Sequence, residues 1–376
     1  MLEIIKNKTL FPDSDLIKMV KRENNSKRNY LLVNSNQGKH VPVDPENISY
    51  LFGMLAGELK KSVDTEKVLF IGFAETATAV AASVASHYKN CPFVHTTREK
   101  FDDRTPVAVF SEEHSHATEQ VLYCDDWEDL VKGIRHIVFI DDEVTTGKTV
   151  LNFIEALKRY DDLPFGIKYT VCSIVNGMSA ATEEQFRKNE VDLCWLVKIK
   201  AEPDSNETYT CNPKTIKRTS EYELTEKRIS GKVDPRTGVK SKDYKKACSV
   251  LAKEIVNQLG PLKGLKAAVI GTEECMYPAI MTAQAFVKQK VASVVTHSTT
   301  RSPIVPDTSK NYPLVSRYRV DSFYEKDRRT FIYNSDQTEY DIVVVVTDSE
   351  KEDYDFTSFA NAFALSKKFV LIRWVK

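Results

Sequence analysis

The chain has 376 residues, long for one domain and short for three, so two domains are the expectation. Apolar residues at 42% and aromatics at 10% are enough to build cores, which excludes a disordered chain. Lys and Arg (53) cancel Asp and Glu (53), so net charge gives no support for wrapping nucleic acid, and no nucleic-acid partner is expected.

Seven cysteines occur, Cys91, Cys124, Cys172, Cys194, Cys211, Cys248 and Cys275, with no C-x-x-C pair. An odd number inside apolar runs reads as buried free thiols of a reducing compartment. No stretch of about 18 apolar residues occurs. The N-terminal segment mixes charges throughout, so a cytoplasmic, soluble protein without a membrane partner is expected.

Strand-like and helix-like runs alternate, which predicts an α/β layer fold with a doubly wound, mostly parallel sheet. Asp44-Pro45-Glu46 reads as a helix start, with Asp as cap and Pro in the first turn, running to about Lys61. A strand at 67–72 ends in glycine, and an Ala-rich helix is expected over 75–89. Strands follow at 93–96 and 106–110. The clearest strand is 136–142 and the clearest helix 146–160. A strand at 168–177, a helix near 179–189 and a strand at 193–199 complete the first domain, placed at 1–205. Residues 206–243 are polar and read as a linker or extended arm. A second α/β domain over 244–376 shows helices at 243–259, 275–289 and 354–366, with strands at 267–271, 291–297, 341–348 and 369–375.

The halves resemble each other. Apolar strand, Gly72, Glu75, Ala-rich helix and Thr96-Thr97-Arg98 are echoed by apolar strand, Gly271, Glu273-Glu274, helix and Thr299-Thr300-Arg301. A degenerate internal copy is one explanation. Chance on a common α/β composition is the other.

The segment from Val138 to Thr149 carries the chemistry. An apolar strand delivers Asp141 and Asp142 at its C-terminal end, where α/β sheets bind ligands. Thr145, Thr146, Gly147, Lys148 and Thr149 then open a helix whose N-terminus favours an anion. The layout fits a 5-phosphorylated ribose, the carboxylates taking the hydroxyls and the turn the phosphate. It is not a Walker A loop, which needs glycine where Asp142 stands.

This segment resembles the phosphoribosyl-pyrophosphate signature of type I phosphoribosyltransferases. The resemblance implies a pyrophosphate loop after the first core strand, here Gly72-Phe73-Ala74-Glu75-Thr76, a hood over the site, and a need for Mg2+. Thr145 stands where 6-oxopurine enzymes of the family carry an acid, as in orotate enzymes. Arg28 to Val33, Gly38 to Val43, His95-Thr96-Thr97-Arg98-Glu99, Phe110 to Ala117 and Thr300-Arg301-Ser302-Pro303 further resemble a bacterial subfamily with a C-terminal TRSP domain. Its members look like parts of a module linked to tellurite-resistance and stress clusters, making a nucleoside-like metabolite.

The resemblance implies the following roles. Asp141 and Asp142 bind ribose hydroxyls and Mg2+, directly or through water. Residues Thr145 to Thr149 bind the 5-phosphate, and Gly72, Ala74, Glu75 and Thr76 the pyrophosphate, with helix capping as the plain alternative for Glu75. Arg98 neutralises the leaving pyrophosphate or makes a surface ion pair. Lys39 and His40 come from the hood. Glu112, Glu113, His114 and His116 supply a general acid or base, or form a solvated loop; a zinc site through the two histidines lacks a further ligand pair. In the second domain Glu273, Glu274, Thr300, Arg301 and Ser302 are ligand candidates, with Arg317, Arg319, Arg328 and Arg329 adding positive charge.

The expected partners are phosphoribosyl pyrophosphate and a small-molecule acceptor, with a homodimer or a pathway-enzyme complex as the assembly. A non-catalytic regulator that binds the same donor or a nucleotide, or a scaffold, is the competing reading.

Overall fold

The structure, a computed structural model, describes residues 1–25, 28–63, 66–111, 119–159, 163–202, 207–211, 214, 218 and 221–376. The first half runs β1 (Leu2–Asn7), β2 (Ile17–Lys21), β3 (Tyr30–Asn34), α1 (Pro45–Leu59), β4 (Val68–Gly72), α2 (Thr78–Ser86), β5 (Pro92–His95), β6 (Ala108–Ser111), β7 (Glu119–Leu122), α3 (Trp127–Val131), β8 (His136–Val144), α4 (Lys148–Leu157), β9 (Lys168–Asn176), α5 (Ala180–Lys188) and β10 (Val191–Ala201). The second half runs β11 (Glu223–Ser230), β12 (Val239–Lys240), α6 (Ser241–Leu259), β13 (Lys266–Gly271), α7 (Tyr277–Val287), β14 (Ser293–Ser298), β15 (Arg317–Asp321), β16 (Arg329–Tyr333), β17 (Ile342–Thr347), α8 (Thr357–Ala362) and β18 (Lys368–Val375).

Two compact units form. One holds Met1–Leu10, Tyr50–Glu202 and Val233–Lys246; the other holds Phe11–Ser49, Pro203–Lys232 and Ala247–Lys376. The units interleave along the chain, where composition suggested a linear division.

The first unit is built on a seven-stranded sheet of order β1-β10-β9-β8-β4-β5-β12. The five strands from β10 to β5 are parallel, and β1 and β12 close the edges antiparallel. β4, β5 and the first five residues of β8 are wholly buried, as their unbroken apolar runs require. Gly72 at the end of β4 lets α2 approach: a Cβ there would lie 2.5 Å from that of Ala81. α2 starts at Thr78, later than expected, because 73–77 form a loop. Phe73, Phe110, Phe139 and Phe153 cluster in the core, with Phe110 and Phe153 ring centres 4.5 Å apart.

The second unit is built on a five-stranded parallel sheet of order β11-β18-β17-β13-β14. Its free β14 edge is covered by the segment before α1. Val43 and Thr296 exchange both backbone bonds (3.2 and 2.9 Å), and Ser298 N donates to Lys39 O (3.1 Å). The β2–β3 hairpin packs its Val20 and Val33 with Ile304, Leu314, Phe331 and Tyr333. Glu23 accepts from Arg317 and Arg329, both at 2.8 Å, and these guanidiniums hold its carboxyl below the ordinary range although burial raises it. These contacts explain why residues 11–49 belong to the C-terminal unit.

The stretch expected to be a linker or arm contributes β11, paired in parallel with β18 along its whole length. The helix expected over 354–366 is shorter, at Thr357–Ala362.

Apart from α3, which only the first unit has, and β12, which pairs with β5, both units repeat one order: strand, loop, helix, strand, two-stranded ribbon, strand, helix, strand. β4, α2, β5, β6–β7, β8, α4 and β9 answer to β13, α7, β14, β15–β16, β17, α8 and β18. The register agrees in detail. Gly72 pairs with His95 and Ile140, and Gly271 pairs with Ser298 and Val346. The pair Asp141-Asp142 therefore answers to Thr347-Asp348.

Candidate active site

In the first unit β4 is followed by β5 on one side, while β8 pairs on the other. The crevice at their C-terminal ends is the topological switch point at which open α/β sheets take ligands. The end of β8 brings Asp141, Asp142 and Glu143 there, all half-buried. Asp141 Oδ1 accepts from the Asp142 N–H (2.9 Å), which fixes one oxygen and orients the other.

Beyond β8 the chain turns through Thr145 and Thr146 into α4. Gly147 sits at φ +67°, and a Cβ on it would lie 2.3 Å from the Phe186 ring, so glycine is required there. Gly147 is the N-cap residue of α4 and so offers no capping side chain. The N-terminus of a helix favours an anion there. Thr145 and Thr149 are half-buried, and Thr146 and Lys148 are exposed.

The loop 72–76 faces the same crevice from β4. Phe73 N donates to Ile140 O (3.0 Å), tying the loop to β8. Thr96 braces it from β5: its backbone N–H donates to Gly72 O (2.9 Å), and its hydroxyl oxygen accepts from Ala74 N (2.9 Å) and donates to Gln120 Oε1. Glu75 is buried and follows a cis peptide bond. The N-cap position of α2 is Ala77, with no side-chain capping bond. Arg98, half-buried, stands just past β5 at this same edge. The fold thus gathers Asp141, Asp142, Thr145 to Thr149, Gly72 to Thr76 and Arg98 at one end of three adjacent parallel strands. Sequence reasoning missed the bracing role of Thr96 and Gln120; the recurrence of T-T-R in both halves was the available signal.

The donor set bears on magnesium. Two adjacent carboxylates on a strand end suit a hard cation that keeps waters and substrate oxygens. Among the described residues no three His, Cys, Asp or Glu side chains gather as a metal cage. Asp141 and Asp142 would hold such a Mg2+ with the remaining positions left to water and substrate.

Other expected site residues lie elsewhere. Lys39 is fully buried in the C-terminal unit, its ammonium donating to Glu273 O (2.8 Å) and Thr299 O (3.2 Å). This corrects its placement on a hood: the amine is committed to two carbonyls. His40 is buried beside the Tyr333 ring in the same unit. Glu113, His114 and His116 lie outside the described residues, on the β6–β7 connection. In the C-terminal unit Glu273 and Arg301 do come together, at 2.7 Å. Glu274 is buried beside them in sequence. Thr300 exchanges backbone bonds with Phe331, and its hydroxyl accepts from Ser302 N (3.1 Å).

Residues 16–202 match the family model described as phosphoribosyl transferase. Residues 234–363 match that of the TRSP domain C-terminal to it. No curated protein matches the chain. Among solved structures, an orotate phosphoribosyltransferase from Aeropyrum pernix is similar at 17% identity, over 49% of this chain and 89% of that one, with a TM-score of 0.32. An adenine phosphoribosyltransferase from Trypanosoma brucei, solved with AMP, pyrophosphate and ribose-5-phosphate, is similar at 12% identity, over 56% and 94%, with a TM-score of 0.34.

The fold, its switch-point site and the first family match define a phosphoribosyltransferase enzyme. With the second match, the chain belongs to the phosphoribosyltransferases that carry a C-terminal TRSP domain.

Proposed function

We propose that the first unit transfers a 5-phosphoribosyl group from phosphoribosyl pyrophosphate to a nitrogen heterocycle. The observation that carries this reading is the pair Asp141-Asp142 at the switch point, flanked by the α4 N-terminus at Gly147 and the braced loop 72–76. The N–H groups and hydroxyls of Thr145 to Thr149 hold the 5-phosphate. Asp141 and Asp142 accept from the ribose hydroxyls, which orients the sugar. Ala74, Glu75 and Thr76 line the diphosphate, and Arg98 matches its oxygens with a guanidinium fork. Bond formation from the acceptor nitrogen to the anomeric carbon accompanies cleavage of the carbon–oxygen bond to diphosphate, and Arg98 takes up the charge released. Asp141 and Asp142 would hold Mg2+, directly or through water, and that ion supplies further neutralisation of the diphosphate when bound. Glu113, His114 or His116 exchanges a proton with the acceptor.

Thr145, in the position of an acid in 6-oxopurine enzymes, favours an orotate-type acceptor. The resemblance to a tellurite-resistance and stress-cluster subfamily supports a cytoplasmic role in making a nucleoside-like metabolite. Isothermal calorimetry of phosphoribosyl pyrophosphate with Mg2+ tests the donor assignment. Binding by the wild type and its loss in Asp141→Asn/Asp142→Asn is the expected result. No heat and no thermal shift with the wild type would overturn it and favour a finished nucleotide or a scaffold.

A further inference from the structure

The switch point of the C-terminal unit lies between β13 and β17, at Gly271-Thr272-Glu273 and Thr347-Asp348-Ser349. Its loop is braced by the same pair of threonine bonds as the first site's. Thr299 N donates to Gly271 O (3.0 Å) and the Thr299 hydroxyl accepts from Glu273 N (3.0 Å), as Thr96 does for Gly72 and Ala74. Thr300 bridges Phe331 on the β15–β16 ribbon as Thr97 bridges Val121 on the β6–β7 ribbon. Arg301 thus answers to Arg98, Glu273 to Ala74 and Asp348 to Asp142.

The contents differ. Ala74 has only a methyl group and no carboxylate to place beside the guanidinium of its site. Glu273 has one, and it is only 1% exposed. Its carboxylate accepts from Arg301 Nε (2.7 Å), from Arg328 (3.0 Å) and from the Ser322 hydroxyl. This is the donor set that an anionic oxygen of a diphosphate would receive: a guanidinium from the T-T-R turn, a second guanidinium and a hydroxyl. Asp348, 8% exposed, accepts from the Tyr324 hydroxyl, which also contacts Thr272. That is the bond a sugar hydroxyl would make to the carboxylate answering to Asp142. Ser322, Tyr324 and Arg328 all come from the β15–β16 turn, the counterpart of the β6–β7 connection.

We propose that the C-terminal unit is a second donor site closed by its own side chains. Glu273 stands in for diphosphate against Arg301 and Arg328, and Tyr324 stands in for a sugar hydroxyl against Asp348. Each chain therefore binds one donor, and the second unit conceals a latent site for inorganic diphosphate. This rests on reading the first site as a phosphoribosyl-pyrophosphate site.

The test is calorimetric stoichiometry of inorganic pyrophosphate with Mg2+ on the full chain. The wild type should bind one equivalent. Glu273→Ala, which installs the residue of the first copy, should bind one more, and Glu273→Ala/Arg301→Ala should lose that addition. Glu273 sits at φ +47°, so Glu273→Gly is a second variant that suits the backbone and should gain the same equivalent. Two equivalents on the wild type, or no gain in whichever of the two single variants folds, overturns the proposal. No binding by the wild type with one equivalent gained on substitution refutes the reading of the first site, and with it the count of one donor per chain, while upholding a diphosphate pocket closed by Glu273.

Discussion

The β4–β8 crevice and the β13–β17 crevice share a scaffold and differ in what faces the ligand space. Both have a strand ending in glycine, a loop braced by a threonine hydroxyl, and an arginine two residues after that threonine. Only the first has two adjacent carboxylates followed by a T-T-G-K-T turn into a helix. In the second, the Glu273 carboxylate accepts from Arg301 and Arg328. The shared glycine and threonine hold the loop in place, and the shared arginine stands beside it in both. On the proposed function Thr96 and Gly72 are framework, and Asp141, Asp142, Arg98 and 145–149 are the set that would face the ligand.

The largest effect that sharpens this contrast comes from the paired substitutions Asp142→Asn and Asp348→Asn. The first removes a charged acceptor from ribose and should weaken phosphoribosyl-pyrophosphate binding about 100-fold. The second should leave donor affinity unchanged and lower stability by about 1–3 kcal/mol, because the Tyr324 hydroxyl loses a charged acceptor. Calorimetry and urea unfolding separate the two. A tenfold weaker donor in Asp348→Asn would break the comparison.

Glycine substitutions come next. A Cβ on Gly72 would lie 2.5 Å from the Ala81 Cβ, and one on Gly271 would lie 2.6 Å from Cys275 O. Each change to alanine should cost about 1–3 kcal/mol through overpacking. Donor affinity should fall in Gly72→Ala only. Equal loss of affinity in both would show that the loops do not act separately.

Thr96→Val and Thr299→Val should each cost about 1 kcal/mol, since each strips the acceptor from a buried loop N–H. Thr96→Val should also weaken the donor about threefold to tenfold through the loosened loop, whereas Thr299→Val should not. An unchanged Kd in Thr96→Val would remove the loop 72–76 from the donor site.

Much of this contrast was legible in the amino-acid sequence. The apolar run ending in Asp141-Asp142 marks a buried strand and its ligand end, and the observed β8 begins at the expected His136. The repeated T-T-R already hinted at the copy. The placement of residues 11–49 was not legible, because an edge strap is held by backbone bonds whose register leaves little local pattern. β11 was hidden for another reason. Its sequence, ELTEKRIS, is mostly exposed, and an edge strand with one buried residue reads as polar linker. The closure of the second crevice depends on Ser322, Tyr324 and Arg328, about 50 residues from Glu273 in the chain. Only the folded ribbon brings them there.

The register also sets His297 of β14 against Val94 of β5, since Ile270 pairs with the first and Ile71 with the second. His297 is fully buried next to the Phe363 ring, and burial pushes its imidazole down to about 3. The folded chain therefore keeps this ring neutral, while the unfolded chain protonates it below a pKa of about 6.5. The unfolded state binds the extra proton in that window, so stability falls as pH drops from about 6.5 towards about 3. His297→Val, which copies the first unit, should change stability by no more than about 1 kcal/mol at neutral pH. Below about pH 6.5 the balance should shift towards the variant by about 1.4 kcal/mol per pH unit. Urea midpoints at about pH 7 and about pH 5.5 measure the slope. Parallel slopes for wild type and variant would mean that the ring takes a proton in the folded unit, and that the second copy tolerates a charge where the first has only an apolar side chain.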